Sequence, residues 1–151
     1  MIHAQTSKYI VITNPAAAVN NASFTTAEID TTGFDYAEIY AVMGATDIAL
    51  TALKVTESDT AGSGHTDITG LVYGTSLDIA GSTSALPTAT DDNKAFKFEI
   101  DLRARKRYLD TVVTVGVGTT GAFVTLFIIL SRAEQALASA ASRGCGNILR
   151  V

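Results

Sequence analysis

From Lys94 to Leu102 the chain alternates apolar and charged residues: Phe96, Phe98, Ile100 and Leu102 fall on one side, Lys97, Glu99 and Asp101 on the other. Successive side chains of a strand point to opposite faces, so this order suits an extended segment with one buried face and one wet face. The same period of two recurs along most of the chain and predicts an all-β protein.

Further strands are expected over Lys8–Thr13, Phe24–Asp30, Phe34–Val42 and Ala49–Glu57, with short ones near Leu71–Tyr73 and Leu77–Ile79. Turn residues separate them: Asn14-Pro15, Thr32-Gly33 and the stretch from Gly44 to Asp47. Ser58 to Gly64 and Gly81 to Asn93 are rich in Ser, Thr, Gly and Asp and read as exposed loops. Val112, Val113 and Val115, then Phe123 to Leu130, predict two strands buried nearly on both faces, so that Lys94–Leu102, Tyr108–Val117 and Ala122–Leu130 form the centre. About eight strands with turns at short intervals predict an antiparallel β-sandwich, jelly-roll-like, rather than an α/β fold. The predicted division is a sandwich domain over residues 1–131, with an N-terminal arm at about 1–7, and a C-terminal short helix or arm over 132–151.

That C-terminal expectation rests on Ser131-Arg132-Ala133-Glu134, which has the form of a capping box at a helix start. Ala133, Ala136, Leu137, Ala140 and Ala141 follow at helical spacings, and Gly144 suits a C-terminal cap. A helix of roughly 12 residues with mostly Ala on its apolar face is marginal alone, so it must dock on something. Ile148-Leu149-Arg150-Val151 adds an apolar tail.

With 151 residues the chain suffices for one domain with its own core. Charged residues make up only 17 %, and Thr, Ser, Ala and Gly fill the polar positions, as where surface meets other protein. A net charge of −4 argues against a nucleic-acid partner. Cys145 is the sole cysteine, which excludes an internal disulfide and suits production in a reducing cytoplasm. The first residues carry His3, Gln5 and Lys8 among apolar ones and predict no signal peptide. Thr111 to Leu130 is uncharged and long enough for a membrane helix, yet Gly116 to Gly121 interrupts it, so two strands around a turn are expected and no membrane partner.

Gly116-x-Gly118-x-x-Gly121 matches the dinucleotide-binding fingerprint, whose chemistry needs a helix to start at the third glycine. The β-forming run Phe123 to Leu130 follows instead, which predicts a hairpin turn. Cys145 lacks a base with a recognisable spacing, His3 and His65 being the only histidines, and the three form no known metal pattern. Glu57, Asp59 and Asp67, and separately Asp91-Asp92-Asn93, could offer oxygens to a hard cation but lack a calcium-loop spacing. No catalytic, cofactor-binding or metal residue is therefore assigned, no cofactor is expected, and a non-enzymatic role is predicted. The one charge run, Arg103-Ala104-Arg105-Lys106-Arg107, reads either as a solvated strand end or as a docking patch for acidic protein surface.

Several phrases resemble small structural proteins of tailed phages and prophages encoded among head genes. They are Gly33-Phe34-Asp35-Tyr36-Ala37-Glu38-Ile39, Gly44-Ala45-Thr46-Asp47, Leu53 to Asp59, Ala89 to Asn93, Asp101 to Leu109 and Ser131 to Glu134. The resemblance spans about Phe24 to Glu134 and supplies no catalytic residue. It implies a virion component on the head surface: a capsid decoration or cement protein whose partners are the major capsid protein and further copies of itself, as dimer or trimer. Arg103, Arg105, Lys106, Arg107, Leu137, Ile148 and Leu149 are the candidate interface residues. The alternatives are a tail-tube, connector or fibre-base component and, more distantly, a β-sandwich that binds carbohydrate or a host surface; the absence of Trp counts against the latter.

Overall fold

The computed structural model describes residues 3–13 and 17–149 and forms two antiparallel sheets packed face to face. The strands are β1 (Lys8–Thr13), β2 (Ala22–Thr25), β3 (Ile29–Asp30), β4 (Phe34–Thr46), β5 (Leu50–Ser58), β6 (Thr66–Val72), β7 (Ala95–Asp101), β8 (Tyr108–Val115) and β9 (Ala122–Ala133). The front sheet has the order β1-β9-β4-β7. The back sheet has the order β2-β8-β5-β6, with β3 also paired to β8. Counting β2 and β3 as one bent strand, the chain crosses between the sheets at every step except the β5–β6 hairpin, in the order of a jelly roll.

The core lies between the sheets. On β4, Ala37, Ile39, Ala41 and Met43 face inward, and on β9 Val124, Leu126, Ile128 and Leu130 do the same. Ile39 is paired to Ile128 on one side and Phe98 on the other. Leu53, Val55, Leu109 and Val113 close the core from the back sheet. Phe98 and Ile100 are 4 % and 2 % exposed, as the alternation of this strand requires, and the Tyr73 ring meets Phe98 edge-on with centroids 5.0 Å apart.

Four expectations are corrected. The predicted strand Phe24–Asp30 is broken in two, because the Thr26 hydroxyl accepts the Thr111 N–H at 3.0 Å while the Ala27 N–H turns to the Ile12 carbonyl at 3.3 Å. A side chain thus stands in for the ladder. The predicted turn at Gly44 lies inside β4, where the register against β9 shifts between Met43 and Thr46; the turn signal marks a bulge. Leu77–Ile79 is a tight loop instead of a strand, held by Asp78 Oδ1 accepting from the Ala80 and Ser82 N–H groups. Of the two expectations for the C-terminal segment, helix or arm, the described residues show no α-helix: Ser131 and Ala133 of β9 pair with Tyr36 and Phe34, and a 3-10 turn, Ala141–Arg143, follows among the described residues. The ladder to β4 holds this segment on the sheet, whereas a short Ala-rich helix without a packed face is marginal in water. Gly144 does take the left-handed conformation expected of a cap, with φ 71°. The Asn14-Pro15 turn lies outside the described residues.

Candidate functional site

The glycine fingerprint forms the β8–β9 turn, and it cradles a carboxylate of the chain itself. Asp47 accepts the N–H groups of Thr119, Thr120 and Gly121 at 2.9, 2.7 and 2.8 Å. These amides, that of Thr120 first, hold the Asp47 carboxyl below its ordinary value. A depressed folded-state pKa means that the unfolded chain binds the proton more readily. The stability Asp47 supplies is therefore full above about pH 4 and disappears as pH falls through the folded value. Asp91 and Asp101, held at about 2 chiefly by Lys94 and Arg103, act in the same sense. Asp47→Asn is expected to lower the melting temperature at neutral pH and to flatten its fall toward about pH 2. A thermal melt series identical to that of the parent would contradict this assignment.

The basic run occupies the β7–β8 connection, and its guanidinium groups have partners within the chain. Arg103 forks onto Asp101, with Nε 2.8 Å from Oδ1. Arg107 forks onto Asp30 at 3.0 and 2.7 Å and lies over the Tyr108 ring. Arg105 reaches Glu57 at 3.4 Å, and the Lys106 backbone N–H donates to the same carboxylate at 3.0 Å. These pairs fix the loop; Arg103–Asp101 and Arg107–Asp30 are exposed and contribute little to stability, whereas Arg105–Glu57 is part-buried. They also occupy the carboxylate-binding forks that a docking surface would use. Arg103 remains the most accessible of the paired arginines, its side chain 68 % exposed.

The C-terminal segment runs back to β1. Gly144 sits so close to Tyr9 that a Cβ there would lie 1.8 Å from the Tyr9 carbonyl oxygen. Leu137 and Ile148 are half-buried, whereas Leu149 is 93 % exposed. The predicted interface residues are therefore split: Arg103 to Arg107 lie on the β7–β8 connection, and the tail lies against β1, the opposite edge strand of the front sheet.

A surface that the sequence reading missed lies on the outer face of the front sheet. The pairings Val11↔Phe127 and Phe127↔Tyr40 place these residues in one row, with Lys97 next to Tyr40 at its end. Tyr40 and Phe127 stack with centroids 4.9 Å apart and rings 9° from parallel. Val11 is 63 % exposed, and Phe123 also stands exposed on β9. At the row's end Lys97 bridges Glu38 at 2.5 Å and Glu99 at 2.6 Å. Of the outward residues of the strand expected to be buried nearly on both faces, Thr125, Phe127 and Ile129 are half-buried and Phe123 is exposed, so its outer face is largely apolar and only partly covered. A second apolar region lies at the open end of the sandwich. There the loop bearing the exposed Leu77 and Ile79 borders a groove of about 530 Å³ lined by Leu71, Tyr73 and Phe96.

Among the described residues one cluster has the donor types of a metal site: Glu28, His65 and Asp110. His65 Nε2 lies 2.8 Å from Glu28 Oε2 and 3.4 Å from Asp110 Oδ2. The Gly62 N–H donates to the same Glu28 oxygen at 2.8 Å and is the main cause of that carboxyl's lowered pKa. Burial raises that of Asp110. Of the acidic groups considered for calcium, Glu57 meets Arg105 and the Lys106 N–H, Asp67 pairs with Lys54, Asp91 with Thr88 and Lys94, and Asp92 with the Thr46 N–H.

No protein-family model matches the chain, and no curated protein matches it. Among solved structures the chain is similar to the crystal structure of SPBc2 prophage-derived protein YomS, at 14 % identity and a TM-score of 0.47, over 82 % of this chain and 91 % of that one.

Proposed function

We propose that this protein is a non-enzymatic structural component of a phage virion, a decoration or cement protein that binds the outer head lattice. The observation that carries the reading is the outer face of the front sheet. An outward sheet face in a freely solvated sandwich is polar, but here Val11, Phe127 and Tyr40 form an apolar row with Phe123 exposed on the same face. Burying that row against a shell subunit removes apolar surface from water, at roughly 25 cal/mol per Å². Each copy then stabilises the assembled shell over its free subunits by mass action, and repetition over a lattice multiplies the effect. The segment resemblances to head-gene proteins agree with this role, as does the low charge of 17 %.

The test is binding of the purified protein to preformed capsids that lack it, at low and high salt. The parent is expected to bind and to raise the temperature at which the shells open. Val11→Asp with Phe123→Asp should abolish binding at both salt concentrations, because apolar burial is not screened. Arg103→Glu should change binding far less at either salt concentration, since Arg103 is already forked onto Asp101 within the β7–β8 connection. A parent that ignores capsids, or an Asp pair that binds like the parent, overturns the reading. Ring-shaped particles of the purified protein would favour a tail-tube component instead.

A further inference from the structure

We propose that Glu28, His65 and Asp110 form a binding site for a divalent transition-metal ion of the zinc class on the outer face of the back sheet. The proposal is independent of the role assigned to the front sheet. Three separate segments build the site. Glu28 lies in the bend between β2 and β3, Asp110 points outward from β8, and His65 ends the β5–β6 loop, which folds over the sheet to reach them. The loop is preset: the buried Ser58 hydroxyl meets the Ser63 carbonyl at 2.5 Å and accepts the Thr60 N–H at 3.0 Å.

The cluster cannot satisfy itself with protons alone. Two carboxylates converge on one ring nitrogen, which carries at most one hydrogen. If that hydrogen goes to Glu28 at 2.8 Å, Asp110 keeps only the longer contact of 3.4 Å. Asp110 Oδ1 is enclosed and has no hydrogen-bond partner in the chain, although the side chain is only 12 % exposed. Charging the imidazole does not help, because it puts a second hydrogen on Nδ1, which is likewise enclosed without an acceptor. An enclosed carboxylate without a donor costs free energy. A cation held between Nε2 and the two carboxylates neutralises the pair and takes the ring lone pair as a ligand, so that the Nδ1 hydrogen alone stays without an acceptor.

The donor chemistry selects the metal. An imidazole nitrogen with two carboxylates suits zinc and its neighbours, whereas calcium and magnesium seek oxygen shells. Metal–ligand bonds of about 2.0–2.1 Å in a tetrahedron set donor atoms about 3.3 Å apart. The observed 2.8 and 3.4 Å bracket that edge, and all three donor atoms lie within 4.8 Å of one another. Glu28 is oriented from outside by the Gly62 N–H. His65 lacks the partner on Nδ1 that usually orients a ligating imidazole, which weakens binding about 10–100-fold. Micromolar affinity is therefore expected, and three protein ligands leave a fourth position to water. Bound metal would tie the β5–β6 loop, the β2–β3 bend and β8 together, so it should raise the melting temperature.

Chelator-treated protein titrated with zinc chloride in a calorimeter tests this, with cobalt chloride absorption reporting the geometry. One ion per chain is expected, with the intense visible bands of tetrahedral cobalt and a zinc-dependent rise in melting temperature. His65→Ala and Asp110→Asn should each weaken zinc binding by about tenfold or more, while Cys145→Ser leaves it unchanged. Asp110→Asn removes a desolvated carboxylate, so that variant should fold as well as the parent without metal; should His65→Ala fail to fold, Asp110→Asn and Glu28→Gln decide. Absence of zinc binding by the parent, or affinity unchanged in Asp110→Asn, overturns the proposal.

Discussion

Truncating Phe98 to Ala is expected to cost about 3–5 kcal/mol, a fall of roughly 6–20 °C in melting temperature for a domain of this size. The ring is 4 % exposed, on the inward face of β7. It is paired to Ile39 and met edge-on by Tyr73 at 5.0 Å. Tyr73 reports the same event from outside, because its hydroxyl donates to the Lys97 carbonyl at 2.9 Å. Loss of the Phe98 ring removes one wall of the Tyr73 site. Lys97, half-buried on the outer face of the same strand, serves as the control: Lys97→Ala should cost less, since it opens no cavity in the core and loses only ion pairs on the solvent side. Denaturant titration of both variants distinguishes them, and equal losses would show that the inward face of β7 is misassigned.

Gly121→Ala is the second large effect. The residue sits at φ +97°, and a Cβ would lie 2.2 Å from the Val19 carbonyl oxygen. The backbone conformation alone costs a side chain about 1–2 kcal/mol. The methyl group must also push away Val19, whose N–H and C=O both bond Ala122 at 2.9 Å. Losing those two bonds at about 0.5–1.5 kcal/mol each brings the total to about 2–5 kcal/mol. Gly33, at φ +86°, has nothing within 4 Å of its would-be Cβ. Gly33→Ala therefore isolates the conformational part and should show only the smaller loss. If both variants melt together, the close approach at Val19 contributes nothing.

How far the sequence could be read depended on whether the information was local. Lys94 to Leu102 disclosed its strand and its face, because alternation is a property of neighbours and the buried set, Phe98 and Ile100, follows from it. The β8–β9 turn was legible for the same reason, although the partner of its amides, Asp47, was not; that carboxylate lies more than 70 residues away. The capping box of Ser131 to Glu134 misled because its helical signal was local while the competing ladder to Phe34 and Tyr36 was not. Phe123 to Leu130 looked buried on both faces because hydrophobicity cannot separate a covered face from an apolar one left at the surface. His65 and Glu28 stand 37 residues apart and meet only because the β5–β6 loop folds across the sheet, so no spacing rule could join them. The basic run was visible, but its internal partners Asp30, Glu57 and Asp101 were not, and they change its meaning from a free patch to a fastened loop.

The proposed decoration role requires the protein to sit on the outside of the assembled head. Electron cryomicroscopy of phage particles made with and without the gene locates it directly. With the proposed decoration role, ordered density is expected to repeat over the outer head lattice, to be absent when the gene is deleted, and to show the face bearing Val11, Phe127 and Tyr40 turned onto the shell. Density confined to the tail, or particles unchanged by the deletion, would contradict it.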